Sequence, residues 1–400
     1  MNILWVKAGQ LLPVDTGGKI RTYNILKELA RQHEVTLLSY YGGPRDATYD
    51  DALRAEFPLA EPVSDCWPLS LPGLGLKYAR WLPTSTPFAV GKFTARAVRD
   101  RIVTWSAAGR FDVAVCDFLA PTANFPDGLP VPTVLFQHNV ESALWARQAE
   151  HERSALKRPI YRIEARRMAA YEAAAVRRFD HVIAVSEHDK ALMAQWVDAS
   201  RISVTPTGVD LAQFGAGAPD PATAAPLVVF VGSMDWEPNE DGMLWFHEQV
   251  WPQVLAAIPS ARLRIVGRRP PPAIAQLAGG AVEVTGTVPS VIEHLHAAAV
   301  VIVPLRIGGG TRLKIYEAMA ARRPLVSTTV GAEGLDYRDG EDILIADAPD
   351  AFAGAVIELL RNPAQRSSVG RAAGQRAARY DWPNVVNAFA ATLSNTRRAE

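Results

Sequence analysis

Cysteine is nearly missing from this 400-residue chain. Cys66 and Cys116 are the only two and lie far apart, so a disulfide framework is excluded as a stabilising device. Cys116 ends the apolar run Val113–Val115 and reads as a small buried hydrophobe, and two reduced thiols fit a reducing cytoplasm. Excess charge of either sign is also lacking. The 42 Lys and Arg residues balance 42 Asp and Glu, which removes any general affinity for nucleic acid. No run of about 18 uncharged apolar residues occurs, so no membrane-spanning helix is expected, and the opening MNILWVKAG is too short and wrongly flanked for a secretory signal. No G-x-G-x-x-G follows the first apolar run and no P-loop is found, which argues against a dinucleotide dehydrogenase and a P-loop NTPase. A repeat of 20–50 residues is absent as well, which removes a solenoid.

The chain does have apolar residues, 48% of the total, more than one ordinary core needs and suited to two domains of about 150–200 residues. Short apolar runs alternate with helical patterns, the signature of an α/β protein with parallel sheets covered on both faces. Strands are expected at Asn2–Val6, Val35–Tyr40, Asp112–Cys116, Thr133–Phe136 and His181–Val185, with helices at Lys19–Arg31 and Arg153–Phe179. After the turn at Thr207–Gly208 the stretch AQFGAGAPDPATAAP has no periodicity and reads as a linker. A second alternating unit follows, with strands at Leu227–Val231, Arg262–Val266, Val282–Thr285, Val300–Pro304 and Leu325–Thr328. Its helices are expected at Glu240–Ala257, Pro289–Ala298 and Ala351–Arg361. The expected division is a Rossmann-like domain over 1–208, a linker over 209–226, a second Rossmann-like domain over 227–380 and a terminal amphipathic helix over 381–400.

One segment carries most of the chemistry. In PLRIGGGTRLKIYEAMAA, an apolar run ends in Gly308, Gly309 and Gly310, and a helical pattern begins at Thr311. Free backbone N–H groups and a positive helix dipole at such a junction suit an anion. Arg312 and Lys314 oppose the dipole by about 0.3–1 kcal/mol each, a conflict that a bound diphosphate removes. Glu317 follows on the same helix, where a carboxylate can accept two hydrogen bonds from a cis diol such as that of a ribose. The plainer reading is a solvated helix start with a Lys314–Glu317 pair at i,i+3.

These residues resemble the donor-binding segment of the family 4 glycosyltransferases. GGGTRLKIYEAMAARRPLVSTTVGAEGL carries the likeness, and other stretches agree in order: DTGGKIRTYNILKELA at 15–30, FQHNVES at 136–142, DHVIAVSEHDK at 180–190, VTPTGVDLAQF at 204–214 and VVFVGSMDWEPNEDG at 228–242. The resemblance implies the GT-B fold, two facing Rossmann-like domains with the interdomain cleft as active site, and the terminal helix returning to the first domain. It implies a nucleotide-diphosphate sugar as donor on the second domain and a saccharide or lipid-linked saccharide acceptor on the first. No cofactor and no metal are expected, because Asp235-Trp-Glu237 falls short of a coordination set.

Residue by residue, the likeness puts Gly17 and Gly18 near the donor diphosphate, although a glycine pair at a strand–helix turn is often only a turn. Gly232 and Ser233, ending the first strand of the second unit, are expected to turn amides to the phosphates. His138, just after the run Thr133–Phe136, can donate to a sugar hydroxyl or present its backbone carbonyl, while Glu141 can act at the site or cap the next helix. Ser186 reads as a helix N-cap with Asp189 three positions on.

The chain departs from the family pattern twice. Many members carry two glutamates eight positions apart, and counting back from Glu317 lands on Gly309. Many also carry an arginine and a lysine after the glycine equivalent to Gly232, where this chain reads SMDWEPNEDG, so the positive charge is expected from Arg312 and Lys314. The resemblance implies a retaining, metal-independent transfer in which Arg312 and Lys314 stabilise the leaving diphosphate. It also implies a role in bacterial cell-surface polysaccharide or glycoconjugate synthesis, on the cytoplasmic side of the plasma membrane. The stretch at 67–88, with Trp67, Trp81, Lys77 and Arg80, and the stripe Arg158, Arg162, Arg166 and Arg167 are compatible with peripheral membrane contact, or with a self-packed loop and a solvated face. Two other readings stay open: a nucleotide-sugar epimerase of the same build, and a non-catalytic nucleotide-sugar-binding protein, the latter suggested by Gly309.

Overall fold

The computed structural model describes residues 1–65, 78, 81, 83–151, 154, 157–307 and 313–396. Gly308, Gly309, Gly310, Thr311 and Arg312 therefore lie outside the described residues, as do Cys66, Trp67, Lys77 and Arg80. The chain forms two units, Met1–Pro206 with Val385–Glu400, and Thr207–Asn384.

The first unit holds a seven-stranded parallel sheet in the order β3-β2-β1-β4-β5-β6-β7. Its strands are β1 (Asn2–Ala8), β2 (Glu34–Gly42), β3 (Ala60–Asp65), β4 (Val113–Asp117), β5 (Thr133–Phe136), β6 (His181–Ala184) and β7 (Ile202–Val204). The second unit holds six parallel strands, β10-β9-β8-β11-β12-β13. These are β8 (Leu227–Val231), β9 (Arg262–Val266), β10 (Val282–Gly286), β11 (Val300–Val303), β12 (Leu325–Ser327) and β13 (Leu344–Ile345). Both orders are the doubly wound 3-2-1-4-5-6 order, with a switch point between β1 and β4 in one sheet and between β8 and β11 in the other. The central strands are continuous apolar runs because helices cover both faces. Val228, Val229 and Phe230 are fully buried, as are Ile3 to Val6.

Three differences from the sequence reading have physical causes. The helix expected over Arg153–Phe179 is found at Arg158–Arg178, and a helix outside that expectation, Glu141–His151, precedes it. Pro159 falls in the first turn of the later helix, where its missing N–H costs nothing. Expected Glu240–Ala257 starts earlier, at Glu237, and Pro252 again sits in the first turn of the continuation Trp251–Ala257. The stretch read as a linker belongs to the second unit and carries the helix Leu211–Gly215 and a 3-10 turn at Pro221–Thr223, capped by Asp210 and Asp220. Its carbonyls are held from far along the chain. Arg366 Nε donates to Pro221 O at 2.9 Å and Nη2 to Ala222 O at 2.9 Å, and Arg323 donates to Pro219 O. Both guanidiniums are buried, so a segment without periodicity is ordered by two arginines that composition cannot connect to it. The strands β3, β7 and β13 and the helix Pro363–Ala377 had no expectation at all.

The last helix, Trp382–Asn395, joins the first unit from Val385 onward. There Phe389, fully buried, meets Trp5 of β1 at 5.7 Å between ring centroids and Phe136 of β5 at 5.1 Å. Phe389→Ala is expected to destabilise the first unit by about 3–5 kcal/mol, read as a lower urea midpoint; a loss below about 1 kcal/mol would show that the helix does not anchor that sheet.

Candidate functional site

Ligands of doubly wound sheets bind beyond the carboxyl ends of the strands, at the switch point. In the first unit, Lys7 and Asp117 are register partners across that point, single charges near the ends of two apolar strands. Asp117 is fully buried. Its Oδ1 accepts from His138 Nε2 at 2.7 Å and its Oδ2 from Thr22 Oγ1 at 2.7 Å, with Lys7 Nζ 3.8 Å away. Burial alone would raise this carboxyl. The Lys7 charge and the His138 and Thr22 contacts outweigh it and hold Asp117 below the usual carboxylate range. Lys7 is itself lowered by burial, against the pull of Asp117.

His138 is buried, and burial pushes its imidazole down to about 4 against the pull of Asp117. The ring is therefore neutral at pH 7, with Nε2–H donating to Asp117 and Nδ1 left as an acceptor that has no partner among the described residues. That arrangement corrects the expectation of an imidazole donating to a sugar, because its one N–H is already used. Its backbone carbonyl is untouched by this argument. The ring stacks on Phe118 at 3.5 Å between centroids. Phe118 holds a left-handed φ of 74°, a conformation that costs a bulky side chain of the order of 1–3 kcal/mol. A Cβ at Gly18 would come within 2.7 Å of Phe118 Cζ. The missing side chain there is thus accounted for by intramolecular packing, and Gly17 opens the helix Gly17–Leu29.

Glu141 does not cap the helix it begins. Glu172 does, accepting from Glu141 N and Ser142 N, both at 2.8 Å, and from Gln137 Nε2 at 2.9 Å. Glu141 instead lines a cavity of about 320 Å³ with Lys7, Gly18, Lys19, Phe118 and Met168, its carboxyl hydrogen-bonded to the Asn139 side chain. Burial, reinforced by Glu172, pushes it up to about 7. Ser186 is the N-cap expected of it, accepting from Asp189 N at 3.0 Å.

In the second unit, Gly232 follows β8 and Lys314 lies in the helix Leu313–Ala320 that comes after β11, so both sit at the switch point. A Cβ at Gly232 would stand 2.9 Å from Lys314 Nζ and 2.8 Å from Asn239 Nδ2, so both side-chain ends come close to the backbone of this turn. Lys314 Nζ donates to Asn239 Oδ1 at 2.6 Å and lies over the Phe230 ring at 4.5 Å, rather than pairing with Glu317. Glu317 makes no hydrogen bond or ion pair among the described residues, and burial pushes it up to about 7 against the pull of Lys314. Ser233 accepts from Arg268 Nε at 2.8 Å and donates to Asp235 at 2.5 Å. The structure thus brings together Gly232, Ser233, Lys314 and Glu317 in one unit, and Gly18, His138 and Glu141 in the other. Sequence reasoning missed Lys7, Thr22, Asp117, Glu172, Asn239 and Arg268. Lys7 and Asp117 carried a signal, a lone charge closing an apolar strand.

The family model described as Glycosyltransferase Family 4 matches residues 16–213, and that described as Glycosyl transferases group 1 matches 225–362. This chain belongs to the family 4 glycosyltransferases. Relatives of this glycosyltransferase chain include a D-inositol 3-phosphate glycosyltransferase of Mycolicibacterium gilvum, 30% identical over 52% of this chain and 50% of the relative. A phosphatidyl-myo-inositol mannosyltransferase of Mycobacterium leprae is 34% identical over 40% and 44%. An uncharacterised protein of the cps region of Klebsiella pneumoniae is 32% identical over 34% and 37%. The chain thus spans about a third to a half of the length of these curated relatives. Among solved structures, Anabaena HepE in complex with UDP superposes with a TM-score of 0.68 at 15% identity, covering 98% of this chain and 100% of that one. Sucrose-phosphate synthase from Thermosynechococcus elongatus does so with 0.68 at 17% identity, covering 98% of each chain. The glycosyltransferase chain has the GT-B fold that its sequence resemblance implied.

Two outcomes follow from the first unit. The His138 imidazole should remain in the neutral Nε2–H form from pH 8 down to pH 5 in ¹⁵N NMR, and titration near 6.5 would show that it is not buried on Asp117. Glu141 binds its proton more tightly folded than unfolded, so it contributes stability below about pH 4.5 that is lost as pH rises through about 7. Glu141→Gln is therefore expected to raise the thermal midpoint at pH 8, by up to about 2 kcal/mol in stability, and to be near neutral at pH 4.5. A shift of equal size at both pH values would contradict this.

Proposed function

We propose that this protein is a retaining glycosyltransferase that moves a sugar from a nucleoside-diphosphate sugar to a hydroxyl of a saccharide or lipid-linked saccharide acceptor. The observation that carries the reading is the close approach of Lys314 Nζ to the side-chain-free Gly232 turn at a switch point, with the buried Glu317 carboxyl, which has no partner among the described residues, one helical turn on. A cation beside a glycine turn suits a diphosphate, and a desolvated carboxylate suits the two donors of a ribose diol. HepE, solved with UDP and with UDP and glucose, supports a nucleotide sugar as donor.

In the proposed reaction the acceptor oxygen attacks the anomeric carbon on the face from which the phosphate departs. The bond from that carbon to the phosphate oxygen breaks as the new glycosidic bond forms, and a leaving phosphate oxygen takes the acceptor's proton. The protein's task is to position both substrates and to stabilise the charge growing on the diphosphate. Lys314 does the latter together with Arg312, Gly308, Gly309, Gly310 and Thr311, and no step is assigned to a metal or a cofactor. Gly17 is assigned to the donor diphosphate from the first unit, and the cavity beside Glu141 and the His138 carbonyl to the acceptor and transferred sugar. A place in cell-surface polysaccharide or glycoconjugate synthesis, at the cytoplasmic face of a membrane, belongs to the same proposal. Among the described residues no helix is long and apolar enough to cross a membrane.

The test is calorimetric titration with UDP, GDP and ADP in the presence of a chelator, followed by turnover of the matching nucleotide sugars. One nucleotide should bind, more weakly in Glu317→Ala than in Glu141→Ala, and Arg312→Ala should abolish the binding. Equal affinities in wild type and both glutamate variants would remove Glu317 from the ribose. A diol donates to the ionised carboxylate, so nucleotide affinity should rise as pH passes upward through about 7, with a proton released on binding, and Glu317→Gln should erase that dependence. Tight binding without turnover into any acceptor would favour a non-catalytic nucleotide-sugar-binding protein, the reading that Gly309 in place of a glutamate suggests.

A further inference from the structure

A second cavity lies at the carboxyl end of the first sheet, between the segments that follow β1 and β2, and neither the donor site nor the cavity beside Glu141 includes it. Its volume is about 610 Å³, against about 320 Å³ beside Glu141, and it is bordered by Gly9, Gln10, Tyr41, Arg45, Asp46 and Ala47. Hydrogen bonds fix both of its walls. After β1, Gly9 N donates to Tyr40 O at 2.7 Å and Leu11 N to Tyr49 Oη at 2.9 Å. After β2, the chain is held on Asp50, a buried carboxylate of the helix Ala47–Glu56. Tyr41 Oη donates to Asp50 Oδ1 at 2.7 Å and Arg45 Nε to Asp50 Oδ2 at 3.0 Å. Asp46 N donates to Tyr41 Oη at 3.0 Å, and Asp46 Oδ1 caps the helix by accepting from Tyr49 N at 3.0 Å.

We infer that this cavity is a saccharide subsite, with Arg45 as its principal contact, that holds a neutral sugar of the acceptor beyond the one that reacts. The inference rests on the proposed transfer to a saccharide acceptor and adds the place where a longer acceptor is read. Three observations carry it. The Asp50 contact takes the Arg45 Nε–H, whereas the outer nitrogens make no hydrogen bond among the described residues and the side chain is 68% exposed. A planar fork of N–H donors, oriented in advance by a buried carboxylate, suits neighbouring hydroxyls, and the Gln10 amide, which also makes no hydrogen bond among the described residues, adds a donor and an acceptor. Charge then decides the class of ligand. An anion would meet the carboxylates of Asp46 and Asp50 and an amine the Arg45 guanidinium, while a neutral polyol can both donate and accept. The third observation is continuity. Ala8 borders the cavity beside Glu141 and Gly9 borders this one, consecutive residues whose Cα atoms are about 3.8 Å apart. Gly9 holds a left-handed φ of 80° and contributes no side chain there; a Cβ on it would meet nothing within 4 Å.

The experiment applies wild type, Arg45→Ala, Gln10→Ala and Ala47→Trp to a printed array of neutral and acidic mono- to tetrasaccharides. Ala47→Trp fills the cavity without removing a polar group, circular dichroism confirms that each variant is folded, and calorimetry with UDP, GDP and ADP reports the donor side. Wild type should retain neutral disaccharides or longer chains. Their affinity should fall about ten- to a hundredfold in Arg45→Ala and Ala47→Trp and about three- to tenfold in Gln10→Ala. Monosaccharides and nucleotides should change by less than about twofold in every variant. Unchanged retention of the longer saccharides in Arg45→Ala and Ala47→Trp, equal losses on mono- and oligosaccharides, or a preference of wild type for acidic saccharides would overturn the subsite and leave the transferase reading in place. Wild type that binds a nucleotide but retains no saccharide would overturn the subsite alone. Wild type that binds neither would overturn the donor reading together with it.

Discussion

A carboxylate with no exposure to solvent organises the carboxyl end of the first sheet. Asp117 ends a strand that is buried along its whole length, and an isolated charge there would cost several kcal/mol. The cost is offset by Lys7 on the neighbouring strand, His138 beyond the next one and Thr22 on the helix that follows β1. Asp117 and these three partners come from four separate stretches of the chain, so satisfying one charge ties them to a single point. Burial keeps His138 neutral against the pull of Asp117, Phe118 stacks on its ring, and a Cβ at Gly18 would run into the Phe118 ring. Site residues that look independent in sequence are links of one packed chain.

The second unit solves a similar problem with backbone rather than charge. Its switch point is drawn tight at Gly267, where a Cβ would stand 1.7 Å from Gly232 O, so the loops after β8 and β9 touch because Gly267 has no side chain. Lys314 and Asn239 lie against Gly232, and Arg268 of the loop after β9 donates to Ser233. Both units share the doubly wound strand order. The first therefore presents a charge-paired, partly apolar cavity and the second a glycine turn ringed by cations, on a common scaffold.

The central strands were legible because parallel strands buried on both faces must be apolar runs. Thr133–Phe136, Leu227–Val231 and Arg262–Val266 appear with the bounds expected. The edge strands β7 and β13, three and two residues long, were not, since so short a run leaves no periodicity. The linker reading failed for a different reason. Pro219, Pro221 and Ala222 meet these arginines through backbone carbonyls alone, and the arginines that bind them lie more than 100 residues away. At the site, Gly232, Lys314 and Glu317 were legible through glycine, cation and carboxylate spacing. Glu172 was not, because nothing local distinguishes a carboxylate that caps a helix beginning 31 residues earlier from one on a solvated face.

The sequence by itself determined the family, the α/β class and the order of alternating elements. It also determined which side chains have the chemistry to meet a phosphate or a diol. These depend on residue type and short-range spacing, which a linear chain displays. Tertiary structure decided which of them meet and in what protonation state. The neutrality of His138, the raised carboxyls of Glu141 and Glu317, and the presence of Arg268 at the Gly232 turn all depend on desolvation and on distances between strands whose separation in sequence is arbitrary.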